Sequence, residues 1–302
     1  MADLATRYEV IGPSGKPFAE AVAALPSTDA RRIRAVVSMG TVPLTAADMD
    51  ALPGLGLISC LGSGYEGVDL GAARERRIAI THSPGANAAS VADLAMGLLL
   101  ASVRNMLGAN AYLQSGEWER SGRRRRGGRG LTGRRMGIFG LGMIGEKIAL
   151  RAAAFEMEVG YHNRRQRADV PYPWHRSLLE LAQWCDVLMI AVRAGATNRH
   201  AVDMEVLRAL GSEGHVVNIA RGSVIDEAAL IEALRGDLIA GAGLDVFEHE
   251  PSVPEALRLA PNVALTPHIG GDTDEAHAAM AAMVMQNVDA YFAGQPVPTP
   301  VP

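Results

Sequence analysis

A glycine-spaced turn, Gly140-Leu141-Gly142-Met143-Ile144-Gly145, lies between the apolar run Met136–Phe139 and a helical stretch from Glu146 to Ala154. In a chain with 33 glycines the G-x-G-x-x-G spacing alone is a weak signal. A strand before it and a helix after it make it specific, because that context is the first βα turn of a dinucleotide-binding unit. Each glycine has a physical task. Gly140 permits the tight turn, Gly142 lets the backbone approach a pyrophosphate, and Gly145 lets helix and strand pack closely. The free N–H groups at the helix start then bind the anion, with Met143 and Ile144 in the turn that leads to it.

Short apolar runs alternate with helical patterns along nearly the whole chain, which predicts an α/β protein with parallel sheets. Strands are predicted at Tyr8–Ile11, Ala35–Ser38, Leu57–Cys60 and Ile78–Thr81, then a long alanine-rich helix over Ala88–Val103 and a helical stretch to about Trp118. A second series follows at Met136–Phe139, Met157–His162, Val187–Ala191, Val216–Ile219, Ala240–Leu244 and Val263–Leu265. Six strands are the complement of a complete dinucleotide-binding domain. Ser177, Asp203 and Asp226 are good N-cap types at helix starts. The last helix is predicted over about Asp274 to Phe292, before Gly294 and a proline-rich tail.

The strand after the glycine turn ends in His162-Asn163-Arg164-Arg165. An NAD-selective site has an Asp or Glu about here, accepting from the ribose 2′-hydroxyl. Asn163 carries no charge to repel a 2′-phosphate, and Arg164 and Arg165 can bind one through charge-assisted hydrogen bonds. These residues argue for NADPH as the preferred cofactor, with NAD still possible.

Three further strand ends carry polar residues: Asn218-Ile219-Ala220-Arg221-Gly222, Asp245-Val246-Phe247-Glu248-His249-Glu250-Pro251, and Thr266-Pro267-His268-Ile269-Gly270-Gly271. Ligands of doubly wound sheets bind at the carboxyl ends of strands, so Arg221, Glu250 and His268 are offered to one crevice. Reduction of a 2-oxo acid needs those types. A guanidinium holds the carboxylate and polarises the carbonyl, and an imidazole donates a proton near neutral pH. A carboxylate beside the imidazole fixes its orientation. Taken alone, any one of the eight histidines is more often structural than catalytic.

The net charge of −4 gives no electrostatic case for nucleic acid or a membrane as partner. Cys60 and Cys185 lack metal or redox spacing and read as buried thiols in a reducing compartment. No apolar run reaches the length of a membrane span and the amino terminus has no apolar leader core, so a cytoplasmic protein is expected. No H-x-x-x-H or Cys cluster points to a metal.

On these motifs, together with Gly62-Ser63-Gly64-Tyr65-Glu66-Gly67-Val68-Asp69, Val91-Ala92-Asp93-Leu94-Ala95 and Gly243-Leu244, the chain resembles the D-isomer-specific 2-hydroxyacid dehydrogenase family along nearly its whole length. Within it, the likeness is greatest to NADPH-dependent glyoxylate/hydroxypyruvate reductases. The resemblance implies two Rossmann-like domains with parallel sheets. The substrate domain would be discontinuous, 1–98 with 276–302, around a dinucleotide-binding domain at 99–275. It implies Arg221, Glu250 and His268 as the catalytic triad, and Ser63 and Gly64 as backbone donors to the substrate carboxylate, beside Arg221 and His268. It implies a cofactor set in which Ala191, Ala220, Asp245 and Gly270 join the glycine turn and the β-strand end at Asn163, with Asp245 by the nicotinamide carboxamide. The expected reaction is reduction of small 2-oxo acids, glyoxylate or hydroxypyruvate, and the expected assembly is a homodimer.

Two stretches depart from the family pattern. Val192-Arg193-Ala194-Gly195-Ala196-Thr197 stands where relatives have a Pro-Leu-Thr turn, and the segment Arg123–Arg129 is unusually basic. The simpler reading of that segment is a solvated loop; the sharper one is attraction of anionic substrate to a partner subunit's site. Asn87 is expected as a turn or cap residue rather than a substrate contact. Two other readings stay open: a reductase of larger or aryl 2-oxo acids, and a dinucleotide-sensing binding protein of the same fold. The intact triad favours an enzyme.

Overall fold

The structure is a computed structural model that describes residues 2–12, 16–123 and 128–301. Arg124, Arg125 and Arg126 of the basic segment lie outside the described residues. The chain divides into two compact units, Met1–Asn87 with Gly271–Pro302, and Ala88–Gly270. In chain order the first unit contains α1 (Ala2–Ala5), α2 (Phe18–Ala23), α3 (Ser27–Arg32), β1 (Ala35–Met39), α4 (Ala46–Asp50), β2 (Leu57–Leu61), α5 (Leu70–Glu75) and β3 (Ala79–Thr81). The second contains α6 (Ala88–Val103), α7 (Met106–Gln114), α8 (Glu117–Ser121), β4 (Arg135–Phe139), α9 (Met143–Ala154), β5 (Glu158–His162), α10 (Leu178–Trp184), β6 (Val187–Ile190), α11 (Met204–Leu210), β7 (His215–Asn218), α12 (Glu227–Arg235), β8 (Gly241–Leu244), α13 (Glu255–Arg258) and β9 (Val263–Leu265). Helix α14 (Asp274–Phe292) returns to the first unit.

The first unit carries a three-stranded parallel sheet in the order β1-β2-β3. Its central strand, β2, is buried from Leu57 to Cys60, as a parallel strand covered on both faces should be. Val284 and Val288 of α14 pack on Leu57 from one side. The second unit carries a six-stranded parallel sheet in the order β5-β4-β6-β7-β8-β9. One face packs under α6 and α9, where Ala92, Leu99 and Ile148 meet Met136, Ile138 and Val217. The other packs under α10, α11 and α12, through Leu181, Leu207 and Leu230 against Leu188 and Val216. Each fully buried Leu or Ile here contributes about 1.5–3 kcal/mol relative to exposure. Strand order reverses between β4 and β6, and ligands of such sheets bind at the carboxyl ends beside that reversal.

Helix starts follow local chemistry. Ser177, Asp203 and Asp226 accept backbone hydrogen bonds from Glu180, Val206 and Ala229, each at 3.0 Å, and each cap is worth about 1 kcal/mol. Helix α14 spans the predicted residues.

Two expectations are corrected. Tyr8–Ile11 is not a strand. The Tyr8 N–H closes α1 on the Leu4 carbonyl at 2.9 Å, its hydroxyl donates to Asp289 at 2.7 Å, and its ring stacks on Phe292 at 4.9 Å. Those contacts hold the segment against helices α1 and α14 instead of along a sheet edge. The unit boundaries fall at Asn87/Ala88 and Gly270/Gly271, ahead of the expected positions at 98 and 276. The reason is α6, which packs on α9, β7, β8 and β9. A Cβ on Gly243 of β8 would lie 2.9 Å from the Leu98 Cβ, so helix and strand are in direct contact and the whole helix belongs to the larger unit.

Candidate active site

The glycine turn sits at the carboxyl end of β4. Gly140 has φ +102°, and a Cβ there would lie 2.4 Å from the Val192 Cα, so no side chain fits. A Cβ on Gly145 would lie 2.4 Å from the Gly140 carbonyl oxygen. Gly142 differs: a Cβ there meets nothing within 4 Å, so the turn faces open space at the position where a pyrophosphate would approach. Gly142 gives α9 no side-chain cap, and the leading N–H groups of a helix have no acceptor of their own. A turn with a bare backbone cradle and an uncapped helix start fits a dinucleotide's diphosphate.

At the end of β5, the Asn163 Oδ1 accepts from the Leu141 N–H at 2.7 Å and its Nδ2 donates to the Leu141 carbonyl at 3.2 Å. The Trp174 indole N–H donates to the Asn163 carbonyl at 3.1 Å. Arg164 and Arg165 are exposed. Arg167, which sequence reasoning passed over, also donates to the Leu141 carbonyl at 3.2 Å and forms ion pairs with Glu146 and Asp169. Its charge is therefore matched by two carboxylates within the unit. At the end of β6 the Ala191 N–H donates to the Phe139 carbonyl at 2.9 Å. The divergent stretch that follows is held by Asn198, which accepts from the Gly195 N–H and donates to the Arg193 carbonyl, both at 2.8 Å.

The triad residues follow three adjacent parallel strands. In register, Asn218 of β7 pairs with Leu244 of β8, which pairs with Leu265 of β9, so the segments beyond them emerge on one rim. Asn218 shapes the first, accepting from the Ala220 N–H at 3.0 Å and donating to the Arg221 carbonyl at 2.9 Å. Gly222 is required because a Cβ there would lie 1.9 Å from the Phe247 carbonyl carbon; the second segment crosses directly over it. Within that segment the Phe247 N–H donates to the Glu250 Oε1 at 3.0 Å, which leaves the Glu250 Oε2 to hold the His268 Nδ1 at 2.7 Å. Glu250 and His268 thus stand as a pair, each about a third exposed, at 34% and 37%.

Asp245 holds the third segment. Its buried carboxylate accepts from the Thr266 hydroxyl at 2.6 Å and from the Ile269 and Gly270 N–H groups, each at 2.9 Å. Its carbonyl accepts from the His268 N–H at 2.8 Å. His268 has φ +55°, a left-handed conformation costly for a non-glycine residue, and these four hydrogen bonds hold it there.

The first unit presents the Ser63–Gly64 loop. The Ser83 N–H donates to the Gly62 carbonyl at 2.7 Å, and His82 Nδ1 lies 3.1 Å from the Ser63 carbonyl. The Ser63 hydroxyl donates to Asn87 Oδ1 at 3.2 Å. Asn87 therefore braces this loop as well as preceding α6, a role its place before a helix did not reveal.

Residues 96–270, more than half of the chain, match the family described as D-isomer specific 2-hydroxyacid dehydrogenase, NAD binding domain. The chain is 40% identical over 278 residues to glyoxylate/hydroxypyruvate reductase A of Arabidopsis thaliana, covering 91% of this chain and 87% of that protein. It is also 40% identical over 269 residues to 2-ketogluconate reductase of Gluconobacter oxydans, covering 89% of this chain and 86% of that one. Among solved structures it is similar to the NADPH-dependent glyoxylate/hydroxypyruvate reductase of Sinorhizobium meliloti in complex with NADP and malonate. That likeness has a TM-score of 0.87 at 40% identity and covers 93% of this chain and 87% of the other.

Proposed function

Because the chain belongs to the D-isomer specific 2-hydroxyacid dehydrogenase family, we propose that it reduces small 2-oxo acids, glyoxylate and hydroxypyruvate first among them, to 2-hydroxy acids with NADPH as reductant. It is an NAD(P)H-dependent oxidoreductase. The observation that carries the assignment of roles is the Glu250–His268 hydrogen bond on the rim that Arg221 shares. With Nδ1 engaged by Glu250, the other ring nitrogen of His268, Nε2, is the one that gives a proton to the keto oxygen. Arg221 binds the substrate carboxylate and polarises the carbonyl. Ser63 and Gly64 add backbone donors to the carboxylate. Gly140, Gly142, Met143, Ile144 and Gly145 hold the diphosphate, while Ala191, Ala220, Asp245 and Gly270 line the nicotinamide half. When bound, NADPH supplies the hydride equivalent for the keto carbon.

Arg164 and Arg165 are assigned to the 2′-phosphate, with Asn163 beside them. Both are exposed cations at the end of β5, whereas Arg167 is spent on Glu146 and Asp169. The test is a panel of 2-oxo acids run with NADPH and NADH in parallel. Glyoxylate and hydroxypyruvate should be turned over fastest, with NADPH preferred. Two charge-assisted hydrogen bonds make the Arg164→Ala/Arg165→Ala double variant about 10- to 100-fold weaker in KM for NADPH, with NADH little changed. An unchanged ratio would remove the phosphate assignment. A larger 2-oxo acid as the main substrate is the second reading, favoured by equal identity to the Gluconobacter oxydans enzyme, and the same panel decides it.

The chain is also assigned to a homodimer and to the cytoplasm. Helices α7 and α8 bury none of their residues and leave Met106, Leu107, Leu113 and Trp118 about half exposed; apolar residues grouped this way mark an association face. Among the described residues no single helix is long and apolar enough to cross a membrane, and both cysteines are free and buried.

A further inference from the structure

We propose that Asn163 is a positioning residue for the glycine turn, serving NADPH and NADH alike, and that it takes little part in choosing between them. The inference rests on the reading of that turn as the diphosphate site. An acidic residue at this strand end would bind the ribose hydroxyls directly, so composition points to Asn163 as half of a selectivity switch. Its geometry points elsewhere. The oxygen and nitrogen of one planar amide both engage a single residue, Leu141, at 2.7 and 3.2 Å. Leu141 lies between Gly140 and Gly142, its side chain is buried, and its carbonyl takes a further donor from Arg167 at 3.2 Å. The Gly142 N–H turns back onto the Gly140 carbonyl at 3.0 Å. Two glycines flanking a peptide give it freedom to rotate. The Asn163 amide removes that freedom at the residue leading into Gly142, where the backbone is open for the diphosphate.

An amide nitrogen has two N–H groups, so only one remains for a ribose oxygen. A lone neutral donor separates a hydroxyl from a phosphate poorly, because both accept. Discrimination by charge then falls to Arg164 and Arg165. A consequence is that Asn163→Asp, which mimics the NAD-type acidic residue, damages the turn. The carboxylate can still accept from the Leu141 N–H but has no donor for the Leu141 carbonyl and sets a negative charge against it.

The experiment measures the binding of NADPH and NADH to Asn163→Ala, Asn163→Asp and the Arg164→Ala/Arg165→Ala double variant by quenching of protein fluorescence, with the melting temperature of each free protein recorded. For Asn163→Ala the expected result is a loss of about 10-fold in affinity for each dinucleotide, the NADPH/NADH ratio staying within about 2-fold of the starting protein, and for Asn163→Asp a loss of NADH affinity of the same order, which is what the loss of a part-buried, satisfied hydrogen bond gives. Asn163→Asp keeps one of the two hydrogen bonds and so keeps the test readable where Asn163→Ala fails to fold. A ratio that moves toward NADH in Asn163→Asp, with NADH itself bound as tightly as before, would overturn the proposal, as would unchanged affinity for both dinucleotides. The double variant is separate: if it leaves the ratio unmoved, the phosphate assignment of the arginines fails while the Asn163 result is still read on NADH.

Discussion

The two ends of the six-stranded sheet each carry a histidine, and their surroundings are opposite. At the carboxyl ends His268 is about a third exposed, bonded to a carboxylate at 2.7 Å and held in a left-handed conformation by the Asp245 network. At the amino ends His215 opens β7. It is only 7% exposed, its Nδ1 lies 3.0 Å from the Ser102 hydroxyl of α6, and it sits near Arg134 and Arg129. Burial, reinforced by those two cations, pushes His215 down to about 4, so at neutral pH it is an uncharged packing group. A cavity of about 400 Å3 opens beside it, lined by Ser102, Asn105, Arg129 and Asn262; none of the triad lies there. The difference shows why residue type alone does not locate chemistry. An imidazole that must give up a proton needs a wet neighbourhood and an orienting partner, and one that fills a strand end needs neither.

The largest effect expected from this contrast is in catalysis at the carboxyl rim. His268→Ala should lower kcat with glyoxylate by about 10³- to 10⁴-fold, the upper part of the range for removal of a general acid, while NADPH still binds. Single-turnover and binding measurements on the same preparation separate the two. Near-normal turnover would return His268 to the structural histidines.

The next effect is in stability at the amino rim and depends on pH. An unfolded His titrates near 6.5, whereas folded His215 does so near 4. Between those values the unfolded chain binds the extra proton, so stability is complete above about pH 6.5 and falls as the pH drops toward 4. The span corresponds to about 3 kcal/mol. His215→Asn can keep a partner for Ser102 and does not titrate, so its urea midpoints should decline less between pH 7 and 4 than those of the unaltered protein. Parallel declines in the two proteins would show that His215 is not the group responsible.

These two histidines also mark how far sequence reasoning reached. The glycine turn, the strands of both sheets and α14 were legible because each is coded locally, by glycine spacing, apolar runs and capping residues such as Asp226. Arg221, Glu250 and His268 could be listed from their strand ends and from family motifs; that their segments emerge on one rim depends on parallel neighbours, which the βα alternation implies. Side-chain contacts between residues far apart in the sequence left no such trace. The Asn163–Leu141 clamp spans 22 residues, and the Ser102–His215 bond spans 113, with no periodicity linking either pair. Tyr8–Ile11 failed for a related reason. Its β-prone residues describe a segment able to form a strand, while the partners that claimed it, Leu4, Asp289 and Phe292, lie on helices. Helix α6 was found in place, but a uniformly apolar helix does not announce which sheet it will cover.

The smallest effect in the series tests whether the amino rim is structural only. Ser102→Ala removes the hydrogen-bond partner of a buried ring nitrogen, which costs about 1 kcal/mol or somewhat more when no water replaces it. For a domain of this size that lowers Tm by about 2–4 °C. Space limits how the site can adapt: a Cβ on the neighbouring Gly241 would lie 2.8 Å from the Ser102 Oγ and 2.6 Å from the Asn262 carbonyl, so this part of β8 is packed against both. His215 stands at the amino end of the four-residue strand β7, whereas Arg221, Glu250 and His268 lie beyond the carboxyl ends of β7, β8 and β9, so kcat and KM for glyoxylate and NADPH at pH 7 should be unchanged. A variant with full thermal stability and reduced kcat/KM would reverse the assignment, making the Ser102–His215 pair part of the working machinery.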